Sequence, residues 1–142
     1  MEMTIPQPTV LLYEIRDPVR LARLRRYLEG GGIRVLTVEP HQLRQPIGAL
    51  LGLPGFAEAP DPLPAALEEE MLVMFALRQG MLEGILGFFR RAGPPSVGLK
   101  AVVTPTNIHW SSLELYEALR QEREQIRLAQ AQAKDKKTTN VV

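Results

Sequence analysis

Val10-Leu11-Leu12-Tyr13-Glu14-Ile15-Arg16-Asp17-Pro18 contains a complete strand-to-helix junction. The apolar run over residues 10–15 reads as a buried strand, because a half-exposed strand would alternate with polar residues. Asp17 suits a helix N-cap, and Pro18 suits the first helical position, where its missing N–H would be unpaired anyway. Leu21, Leu24 and Leu28 recur at helical spacing. Gly30-Gly31-Gly32 then stops the helix, since glycine adopts the left-handed C-terminal conformation at little cost. Ile33 to Val38 reads as a second strand. Pro40 and Pro46 frame a turn and a short helix through about Leu51.

The same plan recurs downstream. Met71 to Leu77 reads as a strand. Leu82, Ile85, Leu86 and Phe89 mark a helix that Gly93-Pro94-Pro95 ends, and Val97 to Val103 is a fourth strand. A last helix starts near Ser111 and runs to about Ala129. Laying one half on the other matches Val10-Leu11-Leu12-Tyr13 with Leu72-Val73-Met74-Phe75. Leu21, Leu24 and Leu28 match Leu82, Ile85 and Phe89, Pro40 matches Pro105, and Leu50-Leu51 matches Leu115-Tyr116. The pattern is a repeated strand–helix–strand–helix unit.

These features predict an α/β fold in which two βαβα units share one four-stranded, mostly parallel sheet, order 2-1-3-4, with helices on both faces. In its all-parallel form the loops after the strands collect at one edge, where open α/β sheets bind ligands. The alternative is a ferredoxin-like α+β fold, in which the third strand returns antiparallel to the first. The predicted organisation is a flexible N-terminus over 1–8, a first half over 9–53 and a second half over 69–129. A Pro-rich linker within the domain covers 54–68, and a disordered tail covers 130–142. Four prolines and a glycine between Pro54 and Pro64 deny that stretch both helix and central strand.

Composition narrows the function classes. The chain has 142 residues, enough for one compact domain. Lys+Arg is 17 against 16 Asp+Glu, a balance that argues against nucleic-acid binding driven by bulk charge. There are no cysteines, which excludes disulfides, thiol catalysis and iron–sulfur ligation. With 2 His, a zinc site would draw mostly on carboxylates, and no HxxxH or HExxH spacing is present. The start of the chain lacks the basic and apolar regions of a signal peptide, and no apolar run approaches the roughly 20 residues of a membrane helix. A cytoplasmic protein without membrane association is expected.

Lys100-Ala101-Val102-Val103-Thr104-Pro105-Thr106-Asn107, followed by Trp110, is the most distinctive string. With Glu69-Glu70-Met71-Leu72-Val73 upstream, it resembles the bacterial domain-of-unknown-function family DUF3783. That family runs through an acidic-start strand, a helix, a strand ending in this Thr-Pro-Thr-Asn turn and a Trp-led helix. The resemblance covers about residues 69–120. It implies no reaction, cofactor or catalytic residue.

The turn is also the first candidate site. A strand end, a polar turn and a helix start bring free N–H groups together, which suits a small anion or a partner's acidic group. Lys100, Thr104, Thr106, Asn107 and Trp110 are its candidate ligand-binding residues. The competing structural reading has Ser111 and Glu114 as a capping box, with Trp110 and Leu115 in the staple positions. His41 and His109, with Asp17 and Glu39, would converge at one edge of an all-parallel sheet as acid–base groups. Exposed loop histidines are the plainer reading.

Arg16, Arg20, Arg23 and Arg26 share a broad helical face, read as solvated. Glu68-Glu69-Glu70 is read in the same way. After Leu119 the last helix turns polar, and Ile126 and Leu128 are too sparse for a sustained heptad seam.

The residues favour a non-catalytic binding or regulatory module that uses the turn. Next comes a structural interaction protein or subunit that self-associates through its last helix, making a homo-oligomer. A small enzyme using His41 and His109 ranks third. No cofactor is identified, and the partner is either a small anion or a protein.

Overall fold

A computed structural model describes residues 6–59, 63–93 and 96–139. The expected flexible residues 1–5, Pro60, Asp61 and Pro62 of the linker, Pro94-Pro95, and tail residues 140–142 lie outside the described residues.

The chain runs β1 (Thr9–Tyr13), α1 (Pro18–Gly30), β2 (Arg34–Thr37), a 3-10 turn (Pro40–Gln42) and α2 (Ile47–Leu50). It continues through β3 (Met71–Phe75), α3 (Met81–Ala92), β4 (Leu99–Val102), a second 3-10 turn (Asn107–His109) and α4 (Ser112–Thr139). The junction after β1 forms as its residues dictate. The Asp17 carboxylate accepts from the Val19 N–H at 2.9 Å, and Pro18 opens the helix. Gly31 closes it through its own N–H.

The sheet has four strands in the order β2-β1-β3-β4. Pairs β1–β2 and β3–β4 are parallel. The central pair β1–β3 is antiparallel, so the all-parallel form is corrected to a mixed sheet. The antiparallel return of the third strand is the feature that the ferredoxin-like alternative proposed, here in a different strand order. Its cause is the path of the chain between the halves. Arg34, at the start of β2, donates to the Leu51 carbonyl at 3.0 Å, so α2 has brought the chain back down the sheet. Residues 54–59 and 63–70 then climb again and feed β3 from the edge at which β1 ends.

This arrangement places an approximate two-fold axis at the centre of the molecule. Leu11 lies opposite Val73 in the β1–β3 ladder. Tyr27 of α1 stacks on Phe88 of α3 at 4.7 Å between ring centroids. On the other face, Pro46 and Ser111 form an isolated antiparallel bridge. Each pair joins matching positions of the two halves. Matching backbone bonds also recur: Val38 N–H donates to the Leu12 carbonyl at 2.9 Å and Val103 N–H to the Met74 carbonyl at 2.8 Å. Among the described residues, the non-glycine residues with positive φ are Glu14 at 61° and Ala76 at 57°, each just after its half's first strand.

Two apolar layers sandwich the sheet. Val10, Leu12, Leu72 and Met74 face Leu24 and Leu28 of α1 and Ile85 and Phe89 of α3. Leu11, Tyr13, Met71 and Val73 face Ile47 of α2 and Leu115 and Tyr116 of α4. Both layers follow from strands whose side chains alternate between two covered faces. No buried side-chain nitrogen or oxygen among the described residues lacks a hydrogen-bond partner.

Two elements depart from expectation. The described residues of the Pro-rich segment carry no helix or strand, yet they form a strap packed onto the molecule. Gln45 donates to the Ala59 carbonyl at 3.3 Å, Ala65 N–H donates to the Pro40 carbonyl at 3.1 Å, and Leu67 is buried. The last helix continues to Thr139, beyond the end near Ala129 that its thinning apolar pattern suggests. Its composition of alanine, glutamine, arginine and glutamate favours helix by propensity, although these turns pack on nothing in the body.

Candidate functional site

The turn after β4 is held by its own side chains. Thr104 N–H donates to Asn107 Oδ1 at 2.8 Å, and Asn107 N–H donates back to Thr104 Oγ1 at 3.0 Å. Asn107 Nδ2 donates to the Val102 carbonyl at 3.1 Å, and the residue is buried. The polar atoms that would greet a ligand therefore bind one another, in a reciprocal Asx/ST turn. Thr106 is exposed. The capping box forms as expected, with Ser111 N–H donating to Glu114 Oε1 and Glu114 N–H to Ser111 Oγ, each at 3.2 Å. Trp110 and Leu115 pack in the same apolar layer. The Trp110 carbonyl accepts from Ile47 N–H at 2.8 Å, which ties α2 to the start of α4.

Lys100 does not join this group. It pairs with Leu72 at the start of β4, some ~13 Å along the strand from Thr104 at about 3.3 Å per residue. Its ammonium turns away, donating to the Val97 carbonyl and lying 5.2 Å from the Phe89 ring centroid. The matching position in the first half is Val35, a buried residue. A cation in that place is desolvated, and burial lowers the Lys100 pKa below the ordinary lysine value. The structure thus brings together Thr104, Asn107 and Trp110 and separates Lys100 from them.

His41 and His109 are also separated. β2 and β4 run in opposite directions through the antiparallel seam, so the loops after them leave opposite edges of the sheet. Convergence of the two histidines with Asp17 and Glu39 at one edge is corrected accordingly. Both histidines are exposed, and His109 lies against Phe56 with ring centroids 5.1 Å apart. Among the described residues, no group of three or more His, Asp or Glu could hold a metal ion.

Glu68-Glu69-Glu70 does more than sit in solvent. Glu70 receives a bidentate pair from Arg20 of α1 at 2.6 and 2.9 Å. Glu69 receives one from Arg123 of α4 at 2.8 and 2.6 Å, and Arg120 approaches Glu68 and Glu69 at 3.6 Å. Consecutive residues entering a strand point to opposite faces, so this one acidic run clasps a helix on each side. The hydrogen bond from Arg123 holds the Glu69 carboxyl below the usual carboxylate range.

Tyr13 and Ser112 were not visible as a pair in the sequence. Both are fully buried, and their hydroxyls lie 2.8 Å apart. Burial pushes the Tyr13 phenol far above its ordinary pKa, opposed by the Ser112 hydrogen bond. The available signal was a tyrosine in an otherwise apolar strand, whose O–H requires a partner.

The class is therefore a mixed-sheet α/β protein made of two βαβα units. Within it, residues 70–126 match the family model described as Domain of unknown function (DUF3783), the family that the sequence resemblance named. No curated protein and no solved structure matches the chain. Among the described residues, no helix is long and apolar enough to cross a membrane.

Proposed function

We propose that the protein is a non-catalytic interaction module: a two-fold-like body that carries α4 as a docking arm for a second copy of the chain. The carrying observation is that residues 121–134 of α4 are all exposed. Isolated helices of this length are marginal in water, and most helical stability in proteins comes from packing. Here the base is clamped by Arg120, Arg123 and Tyr116 against Glu68 and Glu69, while the distal turns gain nothing from the body.

The arm's chemistry supports a second copy as the occupant. Ile126 is 50% exposed, and Glu122, Glu124 and Arg127 put charges of both signs around it. A surface of mixed sign complements itself better than it complements a partner of one charge. Meanwhile the polar atoms of the Thr104–Asn107 turn are spent inside the turn.

Light scattering after size exclusion tests this reading. The full chain is expected to dimerise with rising concentration, and more weakly in high salt. Truncation after Leu119, and separately Ile126→Asp in the full chain, is expected to leave a folded monomer. A full chain that stays monomeric at every concentration, or an Ile126→Asp chain that still dimerises, overturns it.

A further inference from the structure

A cavity of about 110 Å³ lies between the N-terminal half of α1 and the C-terminal end of α3. Ile15, Leu24, Phe88 and Phe89 supply its apolar wall, and Arg20 and Arg23 supply a polar wall on the α1 side. We propose that this cavity binds a short branched-chain monocarboxylate, with the aliphatic body among the apolar walls and the carboxylate on Arg23.

The charge pattern on α1 supports an anion. Arg16 pairs with Glu14, Arg20 with Glu70 and Arg25 with Glu29. Among the described carboxylates none pairs with Arg23, although it lines the cavity. A guanidinium beside an apolar space is suited to bidentate recognition of a carboxylate. The C-terminus of α3 brings partial negative charge to the opposite wall, and Arg90 and Arg91 in its last turn offset that charge.

The approximate two-fold relates this space to a filled place at the other end of the helix pair. In the matching place at the other end of the helix pair, Gly84 stands where α1 has Arg23. There the Tyr27 hydroxyl fills the gap so closely that a Cβ added at Gly84 would fall 2.6 Å from it. At the cavity end Phe88 stands in the place of Tyr27 and has no hydroxyl to reach inward, and Arg23 stands in the place of Gly84.

The size selects the ligand. Dry apolar cavities of about 150 Å³ take up benzene, so this smaller one fits a branched aliphatic group. Isovalerate is the probe. 3-Methyl-1-butanol carries the same body without charge, and acetate carries the charge without the body.

Amide NMR titrations of the full chain test the site. Isovalerate is expected to bind saturably, shifting Ile15, Leu24 and Phe89, with the alcohol and acetate each weaker. Arg23→Gln is expected to weaken isovalerate about tenfold, the equivalent of one charge-assisted hydrogen bond, and to leave the alcohol unchanged. Ala92→Met, at the rim, should block both while the unliganded spectrum shows an intact fold. The proposal is overturned if isovalerate does not saturate, if acid and alcohol bind equally, if Arg23→Gln binds as the parent does, or if the shifts map elsewhere.

Discussion

Tyr27 and Phe88 stack at 4.7 Å between centroids, and they are the same position in the two halves of the chain. The stack is thus where α1 and α3 meet on the approximate two-fold. Two equivalent residues in contact share one interaction, so removing either loses it. Tyr27→Ala and Phe88→Ala are each expected to destabilise by about 2 kcal/mol, with the double variant falling short of the sum by about 1 kcal/mol. Urea unfolding of the four chains measures the coupling.

Tyr13 and Ser112 form a buried link between β1 and α4. Tyr13→Phe leaves the Ser112 hydroxyl without its partner, at a cost of about 1–3 kcal/mol, and adding Ser112→Ala should recover part of that loss. Ultraviolet titration offers a second check. With its phenol pushed upward by burial, Tyr13 should stay protonated through the ordinary tyrosine range and ionise only as the protein unfolds.

Ala76 holds φ at 57° directly after β3. A side chain in the left-handed region costs roughly 1 kcal/mol, which glycine avoids. Ala76→Gly should therefore raise stability by up to about 1 kcal/mol, read as a higher urea midpoint with unchanged slope.

Glu69 titrates lower in the folded chain than in the unfolded one, chiefly through its hydrogen bond from Arg123. Its contribution is present above the ordinary carboxylate value and is lost as pH falls through the lower folded value. Glu69→Gln should be less stable than the parent at neutral pH, and the gap should close in acid. Urea midpoints of both chains across that range measure this.

The strand order and the ends of α1 were legible because each rests on local residues: the apolar runs, Asp17-Pro18 and Gly30-Gly31-Gly32. The direction of β3 was not. The segment 54–68 can reach either end of the sheet at ~3.3 Å per extended residue, and nothing in its prolines says which. The destination is set by contacts distant in sequence, Arg34 with Leu51 and Glu68 N–H with the Tyr116 hydroxyl.

The candidate site suffered from the same gap. Its turn residues were readable, and so was the capping box that Ser111 and Glu114 form. That Lys100 turns back to Val97, or that the two histidines part, depended on strand direction and on which helix covers which face. The clasp by Glu68–Glu70 was hidden because each arginine partner is some 50 residues away in the chain, as for Arg20 and Glu70 or Arg123 and Glu69.

The antiparallel seam between Leu11 and Val73 has one more consequence. Each half keeps its own strands adjacent and its own crossover complete, so neither threads through the other. The peptide between them both raises local concentration and packs on the body through Ala59, Ala65 and Leu67. A nick at the exposed Gly55 would leave two whole βαβα units, free to find each other again as fragments through the same seam.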